Sequence, residues 1–274
     1  VETLAADALE DGANHAEAQV GIVHPVTGRA VDTVGRKRVS DTHVLRDEDG
    51  NVIKRPTLLE GFAHSSNIYF ARAIYERFKN DPAVLTSYYE SLMLNSHIGL
   101  EPFKALKSRL PLAGSKSWKG QGGTSMALPG LAYGYIIELT PIHTLTFYNG
   151  VANGGKMVKP MLYKGETEII NPLIACKANV DSVQLALTKV VSEGLGKPAA
   201  SGKVQVAGAA GTSQISIEDD DSDKFLEYSV EFCGFFPADR PKYSIIVSMN
   251  KMGLPASGGL MAGSVFSEIV DLMV

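Results

Sequence analysis

Three short strings in this chain carry side chains suited to holding or attacking an acyl group. Ser65-Ser66-Asn67 sets two hydroxyls beside a carboxamide, groups that either orient a polar substrate or cap a helix. Ala207 to Gln214, AGAAGTSQ, places Gly211 and Thr212 in a β-prone run, and the backbone of an edge strand can pair with an extended peptide. Ser248-Met249-Asn250-Lys251 is the single Ser-x-x-Lys string. A serine with a lysine one turn later at a helix start is an activated nucleophile. Here the string ends a predicted strand instead, and it is assigned to chance.

The remaining reactive types read as structural. The histidines (His15, His24, His43, His64, His97 and His143) show no metal-ligand spacing, so no metal is expected, and only His64 adjoins a candidate motif. Cys176 and Cys233 lie in apolar contexts, far apart, and read as small core residues. The acidic run Glu218 to Asp223 reads as a solvated connection rather than a calcium loop. Trp118 has the size to act as a sugar or peptide platform, but anchoring its own loop is the favoured role. No Gly-x-Ser-x-Gly elbow supports another hydrolytic triad.

The elements that must position these strings follow from periodicity. Helical spacing predicts a short helix over 2–11, then a hairpin from AQVGIV (18–23) and Arg29 to Val34 around Pro25-Val26-Thr27-Gly28. Residues 36–56 are polar and read as a surface excursion. Thr57 caps a helix, and a second begins at Ile68, which leaves Ser65-Ser66-Asn67 at a helix–helix junction. Asp81-Pro82 opens another helix ending near Asn95, and 96–129 reads as a long Gly- and Ser-rich loop. Thr140-Pro141 starts a helix that stops at Gly154-Gly155, and Asn179 to Glu193 is amphipathic. Strands are predicted near 204–217, 228–236 and 243–250, followed by a helix from Leu260 to Met273. The expected fold is α/β of the α+β type, one antiparallel sheet built from both termini with helices on both faces.

Composition narrows the function classes. The chain has 274 residues, 45% of them hydrophobic, enough to bury a large core. Lys+Arg of 26 against Asp+Glu of 30 gives a formal charge of -4, so no overall field attracts nucleic acid or an anionic membrane. There is no apolar run long enough to cross a bilayer, and the start VETLAADALEDG is acidic where a signal peptide would be basic. The chain reads as soluble, with any membrane anchor lying outside this sequence.

Four blocks, taken in order, resemble the transpeptidase domain of the penicillin-binding proteins, particularly the class B, cell-division type. GIVHPVTGR is similar to that family's first hairpin, and GFAHSSNIYFARAI to its Ser-x-Asn turn and following helix. YGYIIELTPIHTLTFYNGVANGGKMVKP is similar to its Tyr-Gly-Tyr and Thr-Pro stretch. AGAAGTSQ with FCGFFPADRPKYSIIV is similar to the strand bearing Lys-Thr-Gly-Thr and the two strands after it. The family's three motifs are Ser-x-x-Lys, Ser-x-Asn and Lys-Thr-Gly, sharing one cleft.

The resemblance implies a single penicillin-binding-protein transpeptidase-like domain over 1–274 that lacks the family's nucleophile segment near 34–35. It implies that Ser65 and Asn67 face the leaving group and a substrate amide, close to Gly211 and Thr212. At the third motif Ala209-Ala210-Gly211-Thr212 stands where the family has Lys-Thr-Gly-Thr, so the cation that helps bind a carboxylate is gone. Losing a general base alone costs about 10²- to 10⁴-fold, and losing the serine removes the covalent route. No catalytic residue is therefore assigned, and Ser65, Asn67, Ala209, Ala210, Gly211 and Thr212 are motif remnants. The implied function is an inactive binding or scaffold domain in bacterial peptidoglycan synthesis or cell division, on the periplasmic side of the inner membrane. No cofactor is expected; the implied partners are peptidoglycan peptide or cell-wall and division proteins, with no nucleic acid and no membrane contact by this stretch. The alternative is an active serine D,D-transpeptidase whose Ser-x-x-Lys segment is absent from this sequence.

Overall fold

The computed structural model describes residues 22–23, 29–41, 44–46, 49–100, 108–216 and 226–274. The expected helix 2–11, the turn 25–28, the acidic run 218–223 and His15, His24 and His43 lie outside the described residues. The chain organises as two compact units, Val1–His143 with Pro160–Glu166 and Thr144–Lys159 with Thr167–Val274.

In the first unit, β1 (Ile22–Val23), β2 (Ala30–Val34) and β3 (Lys37–Ser40) form an antiparallel sheet in that order. The register Val34↔Lys37 closes a two-residue turn with Gly35 at φ 59, the positive φ that such hairpin turns demand at their first central position. The excursion expected over 36–56 thus begins with a strand. The expected α+β mixture of antiparallel strands and helices is present; among the described residues β1 to β3 form one sheet, and residues 18–21 of the expected hairpin lie outside the described residues.

Helices α1 (Leu58–Ala63), α2 (Asn67–Phe78) and α3 (Pro82–Ser91) follow. Thr57 caps α1 in a reciprocal capping box with Glu60. Ala71 and Ile68 of α2 bury against Ala30, Val34 and Val39. The long loop expected over 96–129 is corrected as well, since α4 (Lys116–Gly120) and α5 (Thr124–Ala132) lie within it. Its Gly and Ser residues are helix punctuation: Ser115 caps α4, and Gly122 and Gly123 take positive φ between the helices. Trp118 is 2% exposed and packs with Phe78, Leu110, Leu128 and Leu131, which makes it an anchor and not a platform. Pro129 sits inside α5 and has no N–H to offer the Ser125 carbonyl four residues earlier. Arg36 N–H takes that carbonyl instead, at 2.8 Å, which fastens the β2–β3 turn to α5.

In the second unit, β6 (Ala207–Ser216), β7 (Leu226–Phe236) and β8 (Tyr243–Met252) form an antiparallel meander with β7 central. The two short strands β4 (Met157–Val158) and β5 (Ile169–Asn171) pair separately. Helix α6 (Pro141–Ala152) begins in the first unit and continues into the second; α7 (Lys177–Ser192) and α8 (Ala262–Met273) lie wholly in the second. Alternation along β7 puts Val230, Phe232 and Phe236 on one face. Phe232 and Phe236 meet Phe266 of α8 with ring centroids 4.8 and 6.3 Å apart, and Val191 of α7, Val206 and Val270 complete this core.

The two cysteines differ. Cys233 is buried as expected, and desolvation, with Glu231 as a smaller cause, pushes its thiol well above the ordinary range. Cys176 is only half-buried, because it stands at the N-cap of α7 rather than in the core. Iodoacetamide at pH 8 should therefore alkylate Cys176 in the native protein and reach Cys233 only after denaturation, as read by peptide mass spectrometry.

Candidate functional site

The Ser-Ser-Asn turn is built around a buried carboxylate that the sequence did not single out. Asp41, 2% exposed, follows β3 and accepts from Ser66 Oγ at 2.8 Å and from the Ile68 N–H at 3.0 Å. Ser66 Oγ in turn accepts from the Tyr69 N–H at 3.1 Å, so the middle serine is the N-cap of α2. A carboxylate at a helix N-terminus is also favoured by the helix dipole. The expected capping by Ser65 and Asn67 is thus corrected: Ser66 does it, and its neighbours are left to point elsewhere.

Asn67 Nδ2 donates to the Ser40 carbonyl at 3.1 Å, tying the turn to β3 a second time. Ser65 is exposed and takes φ 51, a left-handed conformation that costs a non-glycine residue on the order of 1 kcal/mol or more. The turn holds Ser65 there through hydrogen bonds from the Ser65 and Ser66 amides to Phe62 and Gly61 carbonyls. Among the described residues no hydrogen bond links Ser65 Oγ to a base. His64 only closes α1, and His143 is fully buried, its two ring nitrogens satisfied by Thr140 Oγ1 at 2.6 Å and the Ser96 carbonyl at 2.8 Å.

Ala209, Ala210, Gly211 and Thr212 lie on β6, in the second unit. The register Ala209↔Cys233, Ala210↔Phe232, Gly211↔Glu231 and Thr212↔Val230 assigns their faces. Ala210 joins the apolar core face, while Ala209 and Gly211 share the opposite face with Cys233 and Glu231. Gly211 thus stands across from a carboxylate and Ala209 across from a buried thiol. Glu231 Oε1 accepts from Ser248 Oγ at 2.8 Å and Ser229 Oγ at 3.4 Å. Ser248 and Lys251 project to opposite faces of β8, and Lys251 Nζ donates to the Met252 and Gly253 carbonyls. The Ser-x-x-Lys string therefore cannot act as a pair.

A cβ-free residue is needed not at Gly211, where a Cβ would meet open space, but at Gly258, whose added Cβ would lie 2.2 Å from the Gly211 carbonyl oxygen. The Gly258 N–H donates to Thr212 Oγ1 at 2.9 Å. The close approach of another backbone expected at Gly211 is real, and the glycine that permits it belongs to the approaching loop. Burial raises the Tyr148 hydroxyl far above its usual range, with the Cys233 thiol adding to the effect. Among the described residues no group of His, Cys, Asp and Glu could hold a metal ion.

The family profile of the penicillin binding protein transpeptidase domain matches residues 32–271. The chain belongs to this family. Solved structures agree in fold. A peptidoglycan glycosyltransferase from Burkholderia ambifaria superposes with a TM-score of 0.70 at 19% identity, covering 99% of this chain and 76% of that one. The transpeptidase domain of Burkholderia pseudomallei penicillin-binding protein 3, without ligand, gives 0.71 at 20% identity, covering 98% and 75%. A D,D-transpeptidase domain of a peptidoglycan glycosyltransferase from Eggerthella lenta gives 0.65 at 19% identity, covering 99% and 63%. No curated protein matches in sequence. Residues 34–35, where the nucleophile segment was expected to be missing, are a closed hairpin turn.

Two substitutions test this geometry. Asp41→Ala should lower stability by about 1 to 3 kcal/mol, because it strands the buried Ser66 hydroxyl and the Ile68 N–H. Hydrogen exchange should accelerate first at the start of α2. Gly258→Ala should cost about 1 to 3 kcal/mol through overpacking, and urea denaturation with Gly211→Ala as a near-neutral comparator would read the difference.

Proposed function

We propose that this domain is a catalytically inactive member of its family that serves as a binding or scaffold domain in bacterial peptidoglycan synthesis or cell division, on the periplasmic side of the membrane. The observation that carries the reading is the chemistry of β6. Ala209 and Ala210 offer neither charge nor donor, and Glu231 stands across from Gly211. A carboxylate-bearing substrate would find no cation at Ala209, where the family's motif supplies one, and would meet a carboxylate opposite Gly211 on the same face. The lost attraction is on the order of the 1.5 to 3 kcal/mol typical of hydrogen bonds to charged groups.

The nucleophile reading points the same way. Acyl transfer needs a serine beside a base, and Ser65 has no such hydrogen bond while Ser248 and Lys251 are split across a sheet. Losing both the nucleophile and the cation leaves binding as the activity the domain can support. Its peptide or protein partner would be one of the cell wall or of the division machinery.

Intact-mass spectrometry after incubation with a large excess of a labelled penicillin is the test. No stoichiometric mass increase is expected. An adduct mapped to one serine would overturn the inactive reading.

A further inference from the structure

The motif remnants leave unused a cation and two aromatic rings in the first unit. Lys37, the first residue of β3, holds its Nζ 4.3 Å from the centre of the Tyr135 ring. Its aliphatic stem runs past Gly130, where an added Cβ would lie 3.5 Å from Lys37 Cε. Among the described residues no carboxylate stands within ion-pair distance of Lys37. Burial lowers its pKa from the ordinary lysine value, the mark of an ammonium that has lost water without gaining a counter-charge. The negative face of an aromatic ring compensates part of that loss.

The aromatic side is held firmly on one residue and offered to solvent on the other. Tyr135 is 71% exposed, a large ring surface that nothing in the core uses. Tyr133 lies 6.0 Å from it at an interplanar angle of 50° and packs against the cluster of Ala30, Val34 and Val39. Between them Gly134 takes φ 80, the left-handed bend that a side chain would strain. Burial, with Tyr135 as a smaller cause, pushes the Tyr133 hydroxyl up to about 12, so it keeps its proton and can donate. A fixed ring, an exposed ring and an underneutralised ammonium converge on one spot.

We propose that Lys37, Tyr133 and Tyr135 form a binding site for a carboxylated sugar, whose carboxylate draws Lys37 Nζ off the Tyr135 ring and whose apolar pyranose face takes its place there. The ring supplies a flat apolar surface that matches the C–H face of a sugar, and the ammonium selects for a negative charge beside it. A neutral sugar leaves the cation without its counter-charge, and a small free anion leaves the ring wet. The site stands on this geometry; choosing a cell-wall sugar as first probe rests on the function proposed above.

The test is a nuclear magnetic resonance titration of the whole chain with four probes. They are the N-acetylglucosamine–N-acetylmuramic acid disaccharide, a glucuronate-containing disaccharide, neutral N,N′-diacetylchitobiose and sodium lactate. Lys37→Gln and Tyr135→Leu should each weaken the acidic disaccharide at least tenfold, while Lys37→Arg, which keeps the charge, should retain binding and report on folding. Chitobiose and lactate should each bind at least tenfold more weakly than the acidic disaccharide. Binding of the glucuronate disaccharide alone would sustain the site while removing the cell-wall reading. No binding by either acidic sugar, an unchanged affinity in Lys37→Gln, or lactate binding as tightly as the disaccharide would overturn the inference.

Discussion

Strand β7 is held between β6 and β8 over its whole length, and its register decides what the third motif can do. Phe232 faces α8, where it buries against Phe266 in the cluster that includes Val270. With Phe232 fixed, Glu231 and Cys233 must face the other way. A slip of one residue would turn the phenylalanine ring into the polar face and the carboxylate into the core, a cost of several kcal/mol in either direction. Core packing therefore dictates that Ala209 pairs with Cys233 and Gly211 with Glu231, and the electrostatics of the strand follow from the hydrophobic effect on its far side.

The first unit shows the same dependence at smaller scale. Asp41 is buried where β3 ends, and it organises the turn because its two oxygens satisfy a hydroxyl and a backbone amide that would otherwise be stranded. Pro129 releases the Ser125 carbonyl, and the hairpin turn takes it up through Arg36. Each is a polar group displaced from one element and used to fasten another. The turn and the hairpin of the first unit are thus held by hydrogen bonds of Asp41, Ser66 and Arg36.

Much of this was legible in the sequence, and the exceptions have physical reasons. Periodicity located the three C-terminal strands and the helix Lys177–Ser192 through their regular apolar stripes, while the Thr140-Pro141 start and the Gly154-Gly155 stop located the helix Pro141–Ala152. It missed α4 and α5, where small residues and glycines bury a helix without an obvious stripe, and it missed β3, four residues of which only Val39 is buried. Pairing is a property of two strands, so which strands share a sheet could not be read from any one of them alone. At the site, the alanines at 209 and 210 were plain in the text. Asp41 was not, since an aspartate in a polar stretch carries no local sign that a helix N-terminus will fold over it; the one hint was its place between a β-prone run and a Ser-Ser-Asn turn. Glu231 was hidden similarly, its role fixed only by the strand opposite.

The family membership and the chemistry of β6 pull in opposite directions, and a substrate assay separates them. Release of D-alanine from diacetyl-lysyl-D-alanyl-D-alanine should be absent from the wild-type chain. It should stay absent from an Ala209→Lys, Ala210→Thr variant, which regains the cation but not a nucleophile, although that variant should hold the peptide about tenfold more tightly, roughly 1.4 kcal/mol. Turnover by the wild-type chain would contradict the reading that this domain binds without catalysing.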